Sequence, residues 1–259
     1  MTNPAATKTT VTKRFKFTHK AMNHSLHLVK ILSVLLVKIR ANIIVTYKPN
    51  VCYKIFSYFT LRVKIMKENP LDLLVSEIKK CTLCQQHLPL GPRPVLQISR
   101  HAKIIIAGQA PGVKVHNTGI PFDDASGDRL RQWMGITKAT FYDAQKIAIL
   151  PMGFCYPGTG KSGDLPPRSE CALAWRKQLL SAISDIKLIL VIGAYAQNWH
   201  MKETKQKNLT ETVRNWENYG PQLLPLPHPS PRNNIWLSKN PWFEQDLLPQ
   251  LKNRVKELL

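Results

Sequence analysis

Two loops of the sequence carry side chains that could act on a bound ligand. One is Gly108-Gln-Ala-Pro-Gly112, which follows the apolar run Lys103-Ile-Ile-Ile-Ala107. The other is Leu226-Pro-His-Pro-Ser-Pro-Arg-Asn233, which contains His228 and follows the weaker apolar run Gln222-Leu-Leu-Pro-Leu226. In parallel α/β sheets, ligand-binding residues lie in the loops that follow the carboxyl ends of the strands. Either loop alone is a weak signal, because Gly and Pro after a strand most often make only a turn.

Four cysteines have spacings that are typical of a metal site. Cys81 and Cys84 form a Cys-x-x-Cys pair before the first predicted strand, and Cys155 and Cys171 follow the second. Four thiolates suit either zinc or an iron-sulfur cluster, and four buried cysteines without a metal are the alternative. Five cysteines in the whole chain are too few for a disulfide scaffold. We therefore expect a reducing, cytoplasmic compartment.

Apolar runs that alternate with amphipathic stretches must position these residues. This alternation over residues 66–259 predicts an α/β domain with a parallel sheet covered by helices on both faces. The predicted strands are 103–107, 147–150, 187–192 and 222–226, and the predicted helices are 70–80, 127–134, 168–184 and 194–201. A closing helix is predicted to begin at Pro241, with Asn240 as its N-cap, and to end at Leu258.

Much of the positive charge lies in the N-terminal quarter of the chain. The formal net charge is +21, which indicates a polyanionic partner, with nucleic acid first and a membrane surface second. Residues 1–65 hold 12 Lys and Arg and no Asp or Glu, whereas the other 194 residues have a net charge of +9. Three interpretations of residues 1–65 stay open: a start assigned too early, with Met66 as the true start; a basic, disordered arm that binds phosphates; and a targeting segment. No transmembrane helix is expected there, because Lys30, Lys38 and Arg40 interrupt the apolar stretch.

Together, the two loops and the cysteines resemble a known enzyme family. The loops stand in this order about 120 residues apart, and the pair is similar to the water-activating loop and the His-Pro-Ser loop of the uracil-DNA glycosylase superfamily. The cysteines, within Cys155-Tyr-Pro-Gly and Pro-Pro-Arg-Ser-Glu-Cys171, look like those of its iron-sulfur branch, families 4 and 5. The resemblance covers roughly residues 71–259. It implies a three-layer α/β/α sandwich with a four-stranded parallel sheet, and a structural 4Fe-4S cluster on Cys81, Cys84, Cys155 and Cys171.

The resemblance also implies a function and roles for individual residues. The protein would be a monofunctional DNA glycosylase of base-excision repair that removes uracil, or a related deaminated or damaged base, after flipping it into a pocket. His228 would donate a hydrogen bond to the carbonyl oxygen of the departing base. The rest of its loop would press into the minor groove and contact phosphates: Pro229, Ser230, Pro231, Arg232 and Asn233. The pocket would be lined by Gly108, Ala110, Pro111, Gly112, Phe122 and Pro151.

The first loop departs from the family pattern, in which its second or third residue is Asp, Asn or Glu. Those positions are Gln109 and Ala110 here. Neither can act as a base, although the Gln109 amide could orient a water molecule. A replacement lies in Gly119-Ile-Pro-Phe-Asp-Asp-Ala-Ser-Gly-Asp-Arg129, where Asp124, with Asp123 beside it, is similar to the catalytic Asp of another branch. The alternative is that these two carboxylates only cap the following helix.

Two further pocket positions bear on which base the protein binds. Iron-sulfur relatives carry an Asn four residues before the third cysteine, where it reads the edge of uracil. Here that residue is Pro151, which has no side-chain donor or acceptor. A pocket without this Asn is expected to discriminate uracil from other bases less well. Phe122 is expected either to stack on the flipped base or to pack in the core.

Two other functions compete with base excision. The missing first-loop carboxylate and the missing Asn favour a DNA-binding protein of the same fold that recognises damaged or single-stranded DNA without cleaving it. An enzyme that acts on free nucleosides or on RNA is the third hypothesis. No nucleotide cofactor is expected, because Gly158-Thr-Gly-Lys-Ser-Gly163 lacks the first Gly of a phosphate-binding loop. We expect DNA as the partner, no membrane contact, a monomer, and a location with the bacterial nucleoid.

Overall fold

The structure, a computed structural model, describes residues 69–161 and 163–259. The predictions for residues 1–65 lie outside these described residues. The helices are α1 (Pro70–Lys79), α2 (Val113–Thr118), α3 (Ala125–Met134), α4 (Lys138–Phe141), α5 (Ser169–Ala182), α6 (Gly193–His200), α7 (Leu209–Arg214), α8 (Asn234–Lys239) and α9 (Leu248–Leu258). The strands are β1 (Ile104–Ala107), β2 (Ile147–Ile149), β3 (Thr159–Gly160), β4 (Gly163–Asp164), β5 (Leu188–Ile192) and β6 (Leu223–Leu226).

The four apolar strands form one parallel sheet in the order β2-β1-β5-β6. Every residue of β1 and β2 is buried, which is why these strands are apolar throughout rather than alternating. In the register of the sheet, Ile105 of β1 lies between Ala148 of β2 and Ile189 of β5. Pro225 of β6 pairs with Val191, and its missing N–H is tolerated because β6 is an edge strand. The predicted four-stranded parallel sheet is confirmed.

Helices cover both faces of the sheet, because successive side chains along a strand point to opposite faces. Ile104 and Ile106 of β1 pack in one core together with residues of α3 and α9. Ile105 packs in a second core with Ile78 of α1 and Leu179 of α5. The molecule is therefore a three-layer α/β/α sandwich over its described residues.

The prediction that the Asn240 side chain caps the closing helix is wrong. The Asn240 side chain accepts no hydrogen bond from a backbone N–H of the helical turn that follows it. Its Oδ1 accepts a hydrogen bond from the Trp242 indole, and its Nδ2 donates to the Trp236 carbonyl. A π-helical turn (Phe243–Leu247) then runs directly into α9. The Trp242 indole N–H occupies the Asn240 oxygen that would otherwise cap the helix.

The elements that the sequence did not predict are short. They are the helices α2, α4, α7 and α8, of four to six residues each, and the β3–β4 hairpin. Segments of this length contain too few positions to display an apolar period. Among the described residues, no helix has the length and apolar character needed to cross a membrane.

Candidate active site

The loops that follow β1, β2 and β6 meet in one cleft of about 550 Å³. They meet because the strands are parallel, so their carboxyl ends lie at the same edge of the sheet. Of the residues singled out from the sequence, the cleft is lined by Gly108, Gln109, Ala110, Pro111, Gly112, Phe122, Asp124, Pro151, His228, Ser230, Pro231, Arg232 and Asn233. Asp123 and Pro229 are not among the lining residues.

Hydrogen bonds within its own loop fix the orientation of His228 and the position of its proton. Nδ1 accepts a hydrogen bond from the backbone N–H of Ser230 at 3.2 Å, so the proton of the neutral ring is on Nε2. The His228 carbonyl accepts a bond from the Asn233 amide at 2.7 Å, and Arg129 donates to the Ser230 carbonyl at 3.1 Å. Asn233, predicted to contact DNA, therefore uses its side chain to brace the loop.

The charge state of His228 follows from its burial. Burial lowers the pKa of the imidazole, while the carboxylates of Asp124 and Asp164 act in the opposite sense. The net pKa is below the ordinary value of 6.5. At neutral pH the ring is therefore uncharged, with Nε2–H as a donor in the cleft.

The two neighbouring carboxylates of the predicted catalytic stretch have different surroundings. Asp124 lines the cleft and also caps α3, because its Oδ1 accepts a hydrogen bond from the backbone N–H of Gly127 at 2.9 Å. The two alternatives stated for Asp124, helix cap and site carboxylate, are thus compatible. Asp123 lies 3.6 Å from the Lys138 ammonium, away from the cleft lining. This position gives its predicted catalytic role no support.

Phe122 belongs to the cleft and to the core at once. Its ring lies against Gly108 in the cleft and meets the Phe141 ring edge-on in the core, with ring centroids 6.1 Å apart. Its φ of 55° is in the left-handed region, which is strained for a bulky side chain. Gly127 makes this turn possible, because a Cβ there would lie 1.8 Å from the Phe122 carbonyl oxygen. This turn and the contact with Phe141 place the aromatic face of Phe122 beside the first loop.

Hydrogen bonds tie the first loop to its neighbours. The carbonyls of Gly108 and Gln109 accept bonds from the backbone N–H groups of Met152 and Gly153 at 2.9 and 3.0 Å. The Gln109 side chain donates from Nε2 to the Leu165 carbonyl at 3.3 Å. Its amide therefore holds the chain that leaves the β3–β4 hairpin. The predicted role of this amide in orienting water stays a prediction.

A buried arginine supports the loop after β2. Arg176 of α5 is 1% exposed, and its Nη1 donates to the carbonyls of Leu150 and Pro151 at 2.9 and 3.1 Å. Its Nε donates to Nε2 of His200 at 2.9 Å. Burial lowers the pKa of Arg176 to about 10, and burial together with Arg176 lowers the pKa of His200 to about 3. At neutral pH a neutral His200 imidazole thus accepts a bond from the charged Arg176 guanidinium, which holds Pro151 at the cleft.

The β3–β4 hairpin brings into the cleft a carboxylate that sequence reasoning missed. Asp164 lines the cleft beside Gly112, with its Oδ2 3.4 Å from the position of a Cβ on that glycine. The Arg232 guanidinium lies against Gly163, where a Cβ would be 2.0 Å from Nη1. The stretch Gly160-Lys-Ser-Gly163 is a hairpin signal that could have located the turn. It does not reveal which side chain reaches the cleft.

The four predicted metal ligands line a second pocket, whose other walls are mostly apolar. Cys81 and Cys84 follow α1, Cys155 follows β2, and Cys171 lies in the first turn of α5. Burial raises the pKa of the Cys155 thiol to about 11 and that of Cys171 to about 12. A bound metal would compensate the charge of such thiolates and so lower the pKa values of the thiols.

Two residues that line this pocket have a buried N–H donor without an acceptor in the part of the chain that the structure describes. Trp175 Nε1 and Arg168 Nε are buried and lack a hydrogen-bond partner among the described residues. Within the same part of the chain, no group of three or more His, Cys, Asp and Glu side chains is arranged to hold a single metal ion. The four thiols line this one pocket.

Comparisons with known proteins agree with this architecture. A family model described as the uracil DNA glycosylase superfamily matches residues 96–252, which is more than half of the chain. The chain therefore belongs to the uracil-DNA glycosylase superfamily, and the predicted resemblance is confirmed. It is 25% identical over 169 residues to a type-4 uracil-DNA glycosylase of Thermotoga maritima, an alignment that covers 63% of this chain and 83% of that relative. The matched residues include both cleft loops, the hairpin, Cys155 and Cys171.

Proposed function

We propose that the protein is a DNA glycosylase that hydrolyses the N-glycosidic bond of uracil or of a related deaminated or damaged base. The observation that carries this proposal is the His228 ring, whose Nδ1 accepts from Ser230 and whose Nε2–H is left as a donor in the cleft. A donor fixed before the reaction stabilises the negative charge that develops on the oxygen of a leaving base. Membership of the superfamily supports the same class of reaction.

The dimensions and lining of the cleft suit a flipped nucleotide. A cleft of about 550 Å³ is in the range of small-molecule sites. The Phe122 ring offers a face for stacking on the base, and the Asp124 carboxylate would lie near the sugar. At the rim, Ser230, Pro231 and Arg232 would contact the DNA backbone, because a cation and rigid prolines suit phosphates and the minor groove.

We propose that the protein accepts a broader range of bases than relatives that carry an Asn where this chain has Pro151. Pro151 lines the cleft and its carbonyl already accepts a bond from Arg176. Its side chain has neither donor nor acceptor with which to reject bases other than uracil. We expect the ratio of kcat/KM between uracil and other deaminated bases to be small.

We further propose that Cys81, Cys84, Cys155 and Cys171 hold a 4Fe-4S cluster with a structural role. The donor set fits such a group, because all four thiols line one pocket and cysteine thiolates are the ligands of iron-sulfur clusters. The two unpartnered donors, Trp175 Nε1 and Arg168 Nε, would find acceptors in the cluster sulfurs. The cluster would stabilise the junction of α1, the loop after β2 and α5.

The first experiment tests base excision directly. The full chain, purified without oxygen, is incubated with end-labelled DNA that contains a single uracil, and alkali then cuts any abasic site. We expect cleavage at the uracil, and a fall in kcat of about 100-fold to 1000-fold for His228→Ala, because a fixed donor to the leaving base is lost. His101→Ala, an exposed histidine at the opposite end of β1, is the matched control and retains full activity.

A second candidate function is DNA binding without excision, favoured by the absence of a carboxylate at Gln109 and Ala110. It predicts steeply salt-dependent binding of damaged DNA with every base left in place. Absence of abasic sites with uracil and with other deaminated bases, while binding persists, would establish this candidate and reject the glycosylase.

A further inference from the structure

Asp164 is a carboxylate of the cleft to which the reaction described above gives no role. It is exposed at the end of β4 and lines the same cleft as His228. Its Oδ1 accepts a hydrogen bond from the Thr159 hydroxyl at 3.2 Å, and that hydroxyl lies 2.6 Å from the Tyr156 hydroxyl. This chain of hydrogen bonds orients the carboxylate. Its Oδ2 lies beside Gly112 at the end of the first loop.

The hairpin that carries Asp164 is held on two sides. On one side, the Gln109 amide donates to the Leu165 carbonyl, and the Leu165 N–H closes the hairpin by donating to the Gly158 carbonyl at 2.8 Å. On the other side, the Arg232 guanidinium lies against Gly163, which cannot carry a side chain there. The hairpin therefore joins the first loop to the His228 loop and holds Asp164 between them.

Each of the two cleft carboxylates has one oxygen engaged within the chain, Asp124 by the first turn of α3 and Asp164 by the Thr159 hydroxyl. One oxygen of Asp124 is committed to the first turn of α3 through its bond from the Gly127 N–H at 2.9 Å. In Asp164, the oxygen next to the first loop has no such backbone donor among the described residues. Because its second oxygen lies beside Gly112, Asp164 is the carboxylate placed to hold a water molecule at the first loop.

We propose that Asp164 is a catalytic residue, which binds the attacking water and stabilises the cationic sugar in place of the carboxylate that the first loop lacks. This inference rests on the proposed glycosylase function and assigns one of its residues. A water lone pair forms the bond to C1′ of the sugar, and the C1′–N bond breaks with its electron pair leaving on the base. One proton of the water passes to the Asp164 carboxylate and then to solvent. The base anion, bonded to His228 Nε2–H, takes a proton from solvent.

The test compares Asp164→Asn with Asp185→Asn in the full chain. Asn keeps the shape and the acceptor for Thr159 but removes the charge. Asp185, exposed before β5 and ion-paired with Lys187, lies at the opposite edge of the sheet. We expect Asp164→Asn to lower kcat for uracil excision by about 100-fold or more, with KM changed less than about threefold. Asp185→Asn is expected to match the parent chain.

A binding measurement separates this inference from the proposed function. DNA with a cationic pyrrolidine in place of the sugar mimics the transition state, and DNA with a neutral tetrahydrofuran is its matched control. We expect the parent chain to prefer the cationic analogue by at least about tenfold, and Asp164→Asn to lose that preference. A preference that depends on Asp164 without base excision would overturn the proposed function and support the carboxylate site. Excision and preference that both survive Asp164→Asn would overturn the inference alone.

Discussion

The cleft and the cysteine pocket lie on the two sides of the loop after β2 and are built on different principles. In the cleft, the polar groups that define the site are held by other groups of the chain: His228 Nδ1 by Ser230, and the Gln109 amide by Leu165. In the cysteine pocket, Trp175 Nε1 and Arg168 Nε have no acceptor among the described residues, and the thiols have raised pKa values. The chain itself orients the groups of the cleft, whereas the cysteine pocket has donors and thiols suited to a bound cluster.

Helix α5 connects the two regions. Cys171 in its first turn lines the cysteine pocket, and Arg176 further along holds the carbonyls of Leu150 and Pro151 at the cleft. A variant in the cysteine pocket should therefore lower the free energy of unfolding directly and change catalysis only as a consequence. A variant in the cleft should change catalysis with little effect on stability.

Removal of one cysteine should have the largest effect on stability. We expect Cys155→Ala to lose bound iron and its visible absorbance and to lower the free energy of unfolding by about 4 kcal/mol, as loss of a structural metal does. Cys52→Ala, the cysteine outside the group of four, is the matched control and keeps its iron. Iron analysis, absorbance and urea unfolding measure these changes. An iron-free parent chain that is as stable as the variant would show that the four thiols are only core residues.

Acid should destabilise the protein through the contact between Arg176 of α5 and His200 of α6. The pKa of His200 is about 3 in the folded chain, below its ordinary 6.5, so only the unfolded chain takes up this proton between those values. The contribution to stability is therefore complete above pH 6.5 and decreases as the pH falls toward 3, by at most about 1.4 kcal/mol per pH unit. We expect His200→Gln, which keeps an acceptor for Arg176, to flatten this dependence in urea unfolding at pH 7 and pH 5. His101→Gln, an exposed histidine, should keep the parent slope; an equal slope for His200→Gln would contradict the prediction.

The strands, both cleft loops and the cysteine set could be predicted from sequence, because each depends on local pattern or on the resemblance. Ile104 to Ala107 is apolar since it is buried on both faces, and a parallel sheet then brings the loops of β1 and β6 to one edge. Asp164 could not be predicted. Its place in the cleft depends on a hairpin positioned by the side chains of Gln109 and Arg232, which come from distant parts of the chain.

Loss of the hydrogen bond from the Gln109 side chain to the Leu165 carbonyl should have the smallest effect, and it should change only the cleft. Gln109→Ala removes one hydrogen bond at the surface, so we expect the free energy of unfolding to fall by no more than about 1 kcal/mol and kcat to fall about fivefold. If Gln109 acts by holding the hairpin that carries Asp164, its loss should matter only while the carboxylate is present. Gln109→Ala should then have little further effect in the Asp164→Asn background, since the two residues act through one step. Single-turnover rates of the four chains measure this coupling. If the effects of the two substitutions multiply in the double variant, Gln109 acts directly on the substrate or its water. Gln109 would then itself be a catalytic residue at the position where the family pattern has Asp, Asn or Glu.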